Sequence, residues 1–145
     1  MNQSHFDIDA HLLKECFLLG RLPLSHVLLM NNAALPWFIL VPETNAIEIC
    51  DLDAPTLAAL FAEGNRVGRH LREHFPIDKI NVASIGNVVP QMHLHVIGRR
   101  RDDYCWPGPV WGTPAPERYS AAAVNDIAAT LSATLGADYA AGAHG

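Results

Sequence analysis

The chain has 145 residues, half of them hydrophobic and 17% charged, with a formal net charge of −5. That length suits one domain with a real core, and the composition excludes a disordered chain. The negative balance argues against a nucleic-acid polymer as ligand, and no stretch approaches the ~20 apolar residues of a membrane span.

Residues 9–15 suit a turn of helix. Cys16-Phe17-Leu18-Leu19 reads as a short strand, Gly20-Arg21-Leu22-Pro23 as a turn and residues 25–30 as a second strand, together an antiparallel hairpin. Trp37-Phe38-Ile39-Leu40-Val41 is uniformly apolar between Pro36 and Pro42, the pattern of a central strand buried on both faces. Residues 46–50 read as an irregular extended piece with Ile47 and Ile49 on one face.

Asp53 is a good N-cap, and Pro55 stands in the first turn of a helix running to about Phe75. Leu57, Leu60, Phe61, Gly64, Val67, Gly68, Leu71 and Phe75 make its apolar stripe, with Arg66, Arg69, Arg72 and Glu73 outside. His70 and His74 are one turn apart and are expected as solvated histidines beside that stripe rather than as a metal pair. Residues 79–84 form another strand, and residues 85–90 a loop.

Arg99-Arg100-Arg101 is the only local basic run and is expected as a solvated strand end rather than a phosphate clamp. Residues 106–112 hold proline and glycine too densely for a helix or an inner strand, and Trp106 and Trp111 there need cover. A last helix is expected over about 117–135, stopped by Gly136, with residues 137–145 as a frayed tail. Strands with a helix segregated to one face give an α+β fold on a mainly antiparallel sheet, in a single domain over 1–145 with its core at about 16–112. Cys16, Cys50 and Cys105 lack metal spacing, and residues 1–9 lack an apolar leader core, so reduced thiols in a cytoplasmic protein are expected.

The chemistry concentrates in Gln91-Met92-His93-Leu94-His95-Val96-Ile97, which alternates with period two as a strand. Met92, Leu94 and Val96 share one face; Gln91, His93 and His95 share the other. Histidines at i and i+2 lie about 6.5–7 Å apart, a span that suits one small anion or one metal ion. Ordinary strand residues are one reading. A zinc or iron site is a second, but it needs further ligands, and no carboxylate lies near at suggestive spacing. Phosphorus chemistry is the third: a neutral imidazole is a competent nucleophile, a second imidazole can bind a phosphate oxygen or protonate the leaving group, and backbone N–H groups around Gly86 can cradle a phosphate. A nucleotide-binding module without turnover is the fourth. Nothing resembles a P-loop.

This segment resembles the histidine triad (HIT) motif, His-φ-His-φ-His-φ-φ with φ apolar, with Gln91 in the first triad position. The proline-ended strand at 37–42, the long helix, Asn81, the Gly86 approach and Trp106-Pro107 follow in the family's order. Residues 80–112 are similar to a bacterial branch, diadenosine-tetraphosphate-hydrolase-like, that carries this glutamine; the tail is similar to that of nucleoside-phosphoramidate hydrolases.

The resemblance implies a HIT-like fold and a homodimer that binds a nucleotide. It implies attack by His93 on the α-phosphate to give a nucleotidyl-histidine, which water hydrolyses or another acceptor takes up. His95 would contact the phosphate or the leaving group's bridging atom, and Gln91 would orient His93. Asn81, Gly86, Asn87, Val88 and Trp106 would line the nucleotide site, with Trp106 or Trp111 reaching toward the partner and Leu28 and Met30 near the base. No metal or other cofactor is implied. Val88 stands where many relatives have serine or threonine against a phosphate oxygen. The alternatives kept open are a non-catalytic nucleotide-binding protein and a His-x-His metal site.

Overall fold

Five apolar residues between two prolines leave Trp37–Pro42 no solvent-facing side, and all six residues of this strand are buried. The computed structural model describes residues 5–142. In chain order it contains α1 (Ala10–Glu15), β1 (Cys16–Arg21), β2 (Ser25–Met30), β3 (Trp37–Pro42), a 3-10 turn (Ile49–Asp51), α2 (Ala54–His74), β4 (Lys79–Ala83), β5 (Leu94–Arg99), α3 (Ala121–Leu135) and β6 (Ala140–Ala141). One six-stranded sheet has the order β4-β5-β3-β2-β1-β6, with antiparallel pairing throughout. This is the expected α+β architecture. No described helix is long and apolar enough to cross a membrane. Cys16, Cys50 and Cys105 are free thiols.

Strand alternation splits the core in two. Phe38 and Leu40 join Leu94 and Val96 under α2 and α3; Trp37, Ile39 and Val41 join Leu28 and Ile97 on the opposite face. The second face is covered by the N-terminal segment and residues 105–111 rather than by a long helix.

Helix α2 begins as its sequence dictates, with the Asp53 carboxylate accepting from Thr56 N–H at 2.8 Å. Gly64 lets it approach the sheet: a Cβ there would lie 3.0 Å from Leu94 Cδ2. The buried stripe is rotated from the one expected. Phe61 is exposed, while Glu63 and His70 are buried. Glu63 goes inside because its carboxylate accepts from the N–H groups of Leu24 and Ser25, fixing the β1–β2 turn. His70 is fully buried rather than solvated, with its Nδ1 3.0 Å from Thr134 Oγ1 of α3.

Four other expectations need correction. Residues 46–50 are not an extended pair; they lead into the 3-10 turn, with Ile47 exposed and Ile49 partly packed on the core. Gly20 and Arg21 belong to β1, so the turn falls later. The last helix starts at Ala121 under a Ser120 cap rather than at 117, because the preceding residues are held extended. There Asn31 Oδ1 accepts from Tyr119 N–H, and Ala33 N–H donates to the Glu117 carbonyl. The described part of the tail is not frayed: Tyr139 is buried, β6 pairs with β1, and Gly142 N–H donates to the Leu19 carbonyl at 2.8 Å. The expected tail's last three residues, 143–145, lie outside the described residues.

Candidate active site

The histidine segment is strand only from Leu94 onward; Gln91, Met92 and His93 lead into it irregularly. The two-faced pattern still holds, since Met92, Leu94 and Val96 enter the helix-side core. His93 and His95 line a cavity of about 640 Å³ on the opposite side. Their rings are 4.9 Å apart between centroids. Both are largely buried, so this face is packed and not an open polar row.

Their hydrogen bonds separate the two imidazoles. His93 Nδ1 lies 2.7 Å from the main-chain carbonyl of Gln91. A carbonyl only accepts, so Nδ1 carries a hydrogen, and in the neutral ring Nε2 keeps its lone pair. Nε2 makes no hydrogen bond among the described residues. His95 is the reverse. Trp37 Nε1–H donates to its Nδ1 at 3.0 Å, and an indole can only donate, so the hydrogen of neutral His95 sits on Nε2. Burial first, then the neighbouring His93, pushes the His95 pKa down to about 3. One imidazole thus offers a nucleophilic lone pair beside another that offers an N–H.

Register explains the Trp37 contact. Ile39 pairs with His95 and Trp37 with Ile97, so Trp37 is the diagonal neighbour of His95 on one face. Trp111 completes the cage, its ring 5.2 Å from His95 and 6.1 Å from Trp37.

The segment leading to Trp111 is tied to the sheet by a knot around Arg99. Its guanidinium donates to Asp103 through Nε at 2.8 Å and Nη2 at 3.1 Å, to Asn81 Oδ1 at 3.0 Å and to the Gly108 carbonyl at 2.9 Å. Burial works to raise the Asp103 pKa, but hydrogen bonds from Arg99 and from the backbone of Arg100 and Cys105 outweigh it and hold it at about 2. Arg99 is 1% exposed, so it is neither a solvated strand end nor a phosphate clamp.

Of the residues expected around a ligand, Gly86, Asn87, Val88, His93, His95, Met30 and Trp111 line the cavity. Gly86 has a positive φ of 72°, which turns the loop beneath it. Asn81 and Trp106 lie elsewhere: Asn81 accepts from Arg99, and the Trp106 ring lies 5.6 Å from the Arg99 guanidinium. Leu28 is fully buried in the core. The Gln91 side chain makes no hydrogen bond to His93; its amide bonds the main chain of Asp7 and Asp9, and it is the main-chain carbonyl of Gln91 that meets the histidine. Trp37, Asn31, His11 and Arg118 also line the cavity or cage and carried no local sequence signal. Among the described residues, no three His, Cys, Asp or Glu side chains gather as a metal-ligating group.

Comparison with known proteins identifies the family and the fold. The HIT domain model matches residues 13–102. The chain is 42% identical to a histidine triad protein of Bradyrhizobium japonicum, covering 87% of this chain and 95% of that one with a TM-score of 0.82. It is 40% identical to one of Marinobacter aquaeolei, covering 90% and 96% with a TM-score of 0.84. It is 36% identical to one of Sinorhizobium meliloti, covering 90% and 97% with a TM-score of 0.85. No curated protein matches the chain. With the family model spanning most of the sheet and these structures aligning over most of the chain, the chain belongs to the histidine triad (HIT) family.

Proposed function

We propose that the protein is a nucleotidyl hydrolase or transferase that acts at the α-phosphate of a nucleotide through His93. The observation that carries this reading is the opposite tautomers of the paired histidines. The Nε2 lone pair of His93 would form a bond to phosphorus while the bond from phosphorus to the leaving group breaks. His95 Nε2–H would hold a phosphoryl oxygen or the bridging atom. With a pKa pushed down to about 3, His95 is neutral near pH 7 and donates a hydrogen bond rather than a proton. The leaving group takes its proton from solvent. Water, or another acceptor, then breaks the phosphorus–nitrogen bond and returns His93.

The same tautomer argument disfavours the His-x-His metal site, because a metal at His95 Nε2 would have to displace a proton that Trp37 keeps there. One observation favours binding without turnover: Val88 lines the cavity and offers no hydrogen bond to a phosphate oxygen. Adenosine phosphoramidate and dinucleoside polyphosphates, the substrates of the branches this sequence resembles, separate the readings. A covalent nucleotide on His93, lost in His93→Ala, is the expected result. Tight nucleotide binding with neither adduct nor turnover would defeat catalysis.

A cytoplasmic homodimer belongs to the same proposal. Strand β4 is a sheet edge with Val82 exposed, a surface that a second copy would cover. Trp111 packs on His95 of its own chain, so the site's cage does not need the partner's tryptophan. A monomeric mass in light scattering at micromolar concentration would defeat the dimer.

A further inference from the structure

Gln91 occupies the first triad position, yet its amide hydrogen-bonds the N-terminal main chain and not the histidine pair. Its Oε1 accepts from Asp9 N–H at 2.8 Å, and its Nε2 donates to the Asp7 carbonyl at 2.9 Å, 82 and 84 residues away in sequence. A primary amide places donor and acceptor side by side, as a peptide group does, and so can grip an extended segment at two points. The gripped segment leads directly into the site. Asp9 is the N-cap of α1, accepting from His11 N–H at 2.8 Å. Helix α1 then gives His11, Leu12 and Glu15 to the cavity wall. Before it, Phe6 stacks on His26 with ring centroids 5.5 Å apart, and Ile8 packs on the second core. A helix of six residues is far too short to be stable alone, so its position depends on such anchors.

We propose that Gln91 is a positioning residue: it fastens residues 6–15 and so holds His11, Leu12 and Glu15 in the cavity wall, and the first triad position serves substrate retention instead of the chemistry of His93. A histidine there would not serve, because its ring nitrogens point in divergent directions and cannot meet both main-chain groups at once. The ligand arm of this proposal rests on the nucleotide reading; the wall itself does not.

Hydrogen–deuterium exchange on the full chain tests the wall, comparing wild type with Gln91→His and Gln91→Ala. Two lost hydrogen bonds should speed exchange of residues 6–15 by about tenfold or more, with the sheet unchanged. Gln91→Glu keeps the acceptor for Asp9 and loses the donor to Asp7, and an intermediate rate is expected. In parallel, AMP should bind either of the first two variants several-fold more weakly, while His93 adduct formation at saturating substrate stays within about threefold, a change in KM and not in kcat. Unchanged exchange in both variants would overturn the proposal. So would a loss of rate at saturation with AMP affinity intact, which would return Gln91 to the chemistry. If AMP fails to bind wild type, the nucleotide reading falls, and exchange alone still decides whether Gln91 holds the wall.

Discussion

At the scale of residues, the tautomers of His93 and His95 depend on one carbonyl and one indole. The pair itself was legible, because period-two alternation is local and puts both histidines on one face. The indole was not, because Trp37 lies 58 positions from His95 and meets it only through the β3–β5 register. Replacing Trp37 by phenylalanine keeps a ring in the core and removes the donor. His95 can then take either tautomer, and on the proposed mechanism adduct formation should slow about 10- to 100-fold, the usual scale for a group that orients a functional histidine. Single-turnover kinetics with an unchanged melting temperature would check this; an unchanged rate would show that the indole does not set the His95 proton. Val88→Ser makes the converse prediction. Val88 is 77% exposed at the cavity, so a hydroxyl fits without repacking and should raise the rate by up to about tenfold, a fraction of what a well-placed transition-state donor contributes.

At the scale of elements, the long helix and inner strands announced themselves through caps, prolines and periodicity, whereas the sixth strand did not. Ala140 and Ala141 carry no strand signal, and their pairing comes from β1. Gly20 is the residue that permits it. A Cβ there would collide with the Ala140 carbonyl and the Tyr139 ring, so this glycine makes room for a strand rather than a turn. Gly20→Ala should therefore push β6 off the sheet edge. The cost expected from overpacking is about 1–3 kcal/mol, a fall in melting temperature of roughly 2–10 °C for a chain of this size. The His93 adduct rate should be preserved, since β1 lies three strands from β5. A variant as stable as wild type would show that the tail adds nothing.

At the scale of the whole molecule, both sides of the sheet bury a histidine whose charge the fold resists. On the helix side, His70 is enclosed by the Phe38 and Phe75 rings, Thr134 and His74, and its Nε2 has no hydrogen-bond partner among the described residues. Burial first, then the neighbouring His74, lowers its pKa from 6.5 to about 4; on the opposite side His95 falls to about 3. Both shifts are downward, so as pH drops below 6.5 the unfolded chain binds protons that the folded chain refuses. The stability is complete above pH 6.5, is lost progressively toward pH 4, and levels off for each group once its folded pKa is passed. For His70 alone the loss is on the order of 3 kcal/mol, at about 1.4 kcal/mol per pH unit. Asp103 adds to acid lability in a lower window, from 3.8 to about 2. None of this was legible in the helical pattern, which put His70 beside the stripe, because the helix rotation is set by Glu63 gripping a turn 38 and 39 residues away. His70→Leu removes one of the two titrations while His74 Nε2 keeps its contact with Thr134 Oγ1. Chemical denaturation across pH 4.5–7 should then show a stability slope smaller by about one proton than in wild type. An unchanged slope would mean that His70 gains its proton in the folded state as readily as in the unfolded one.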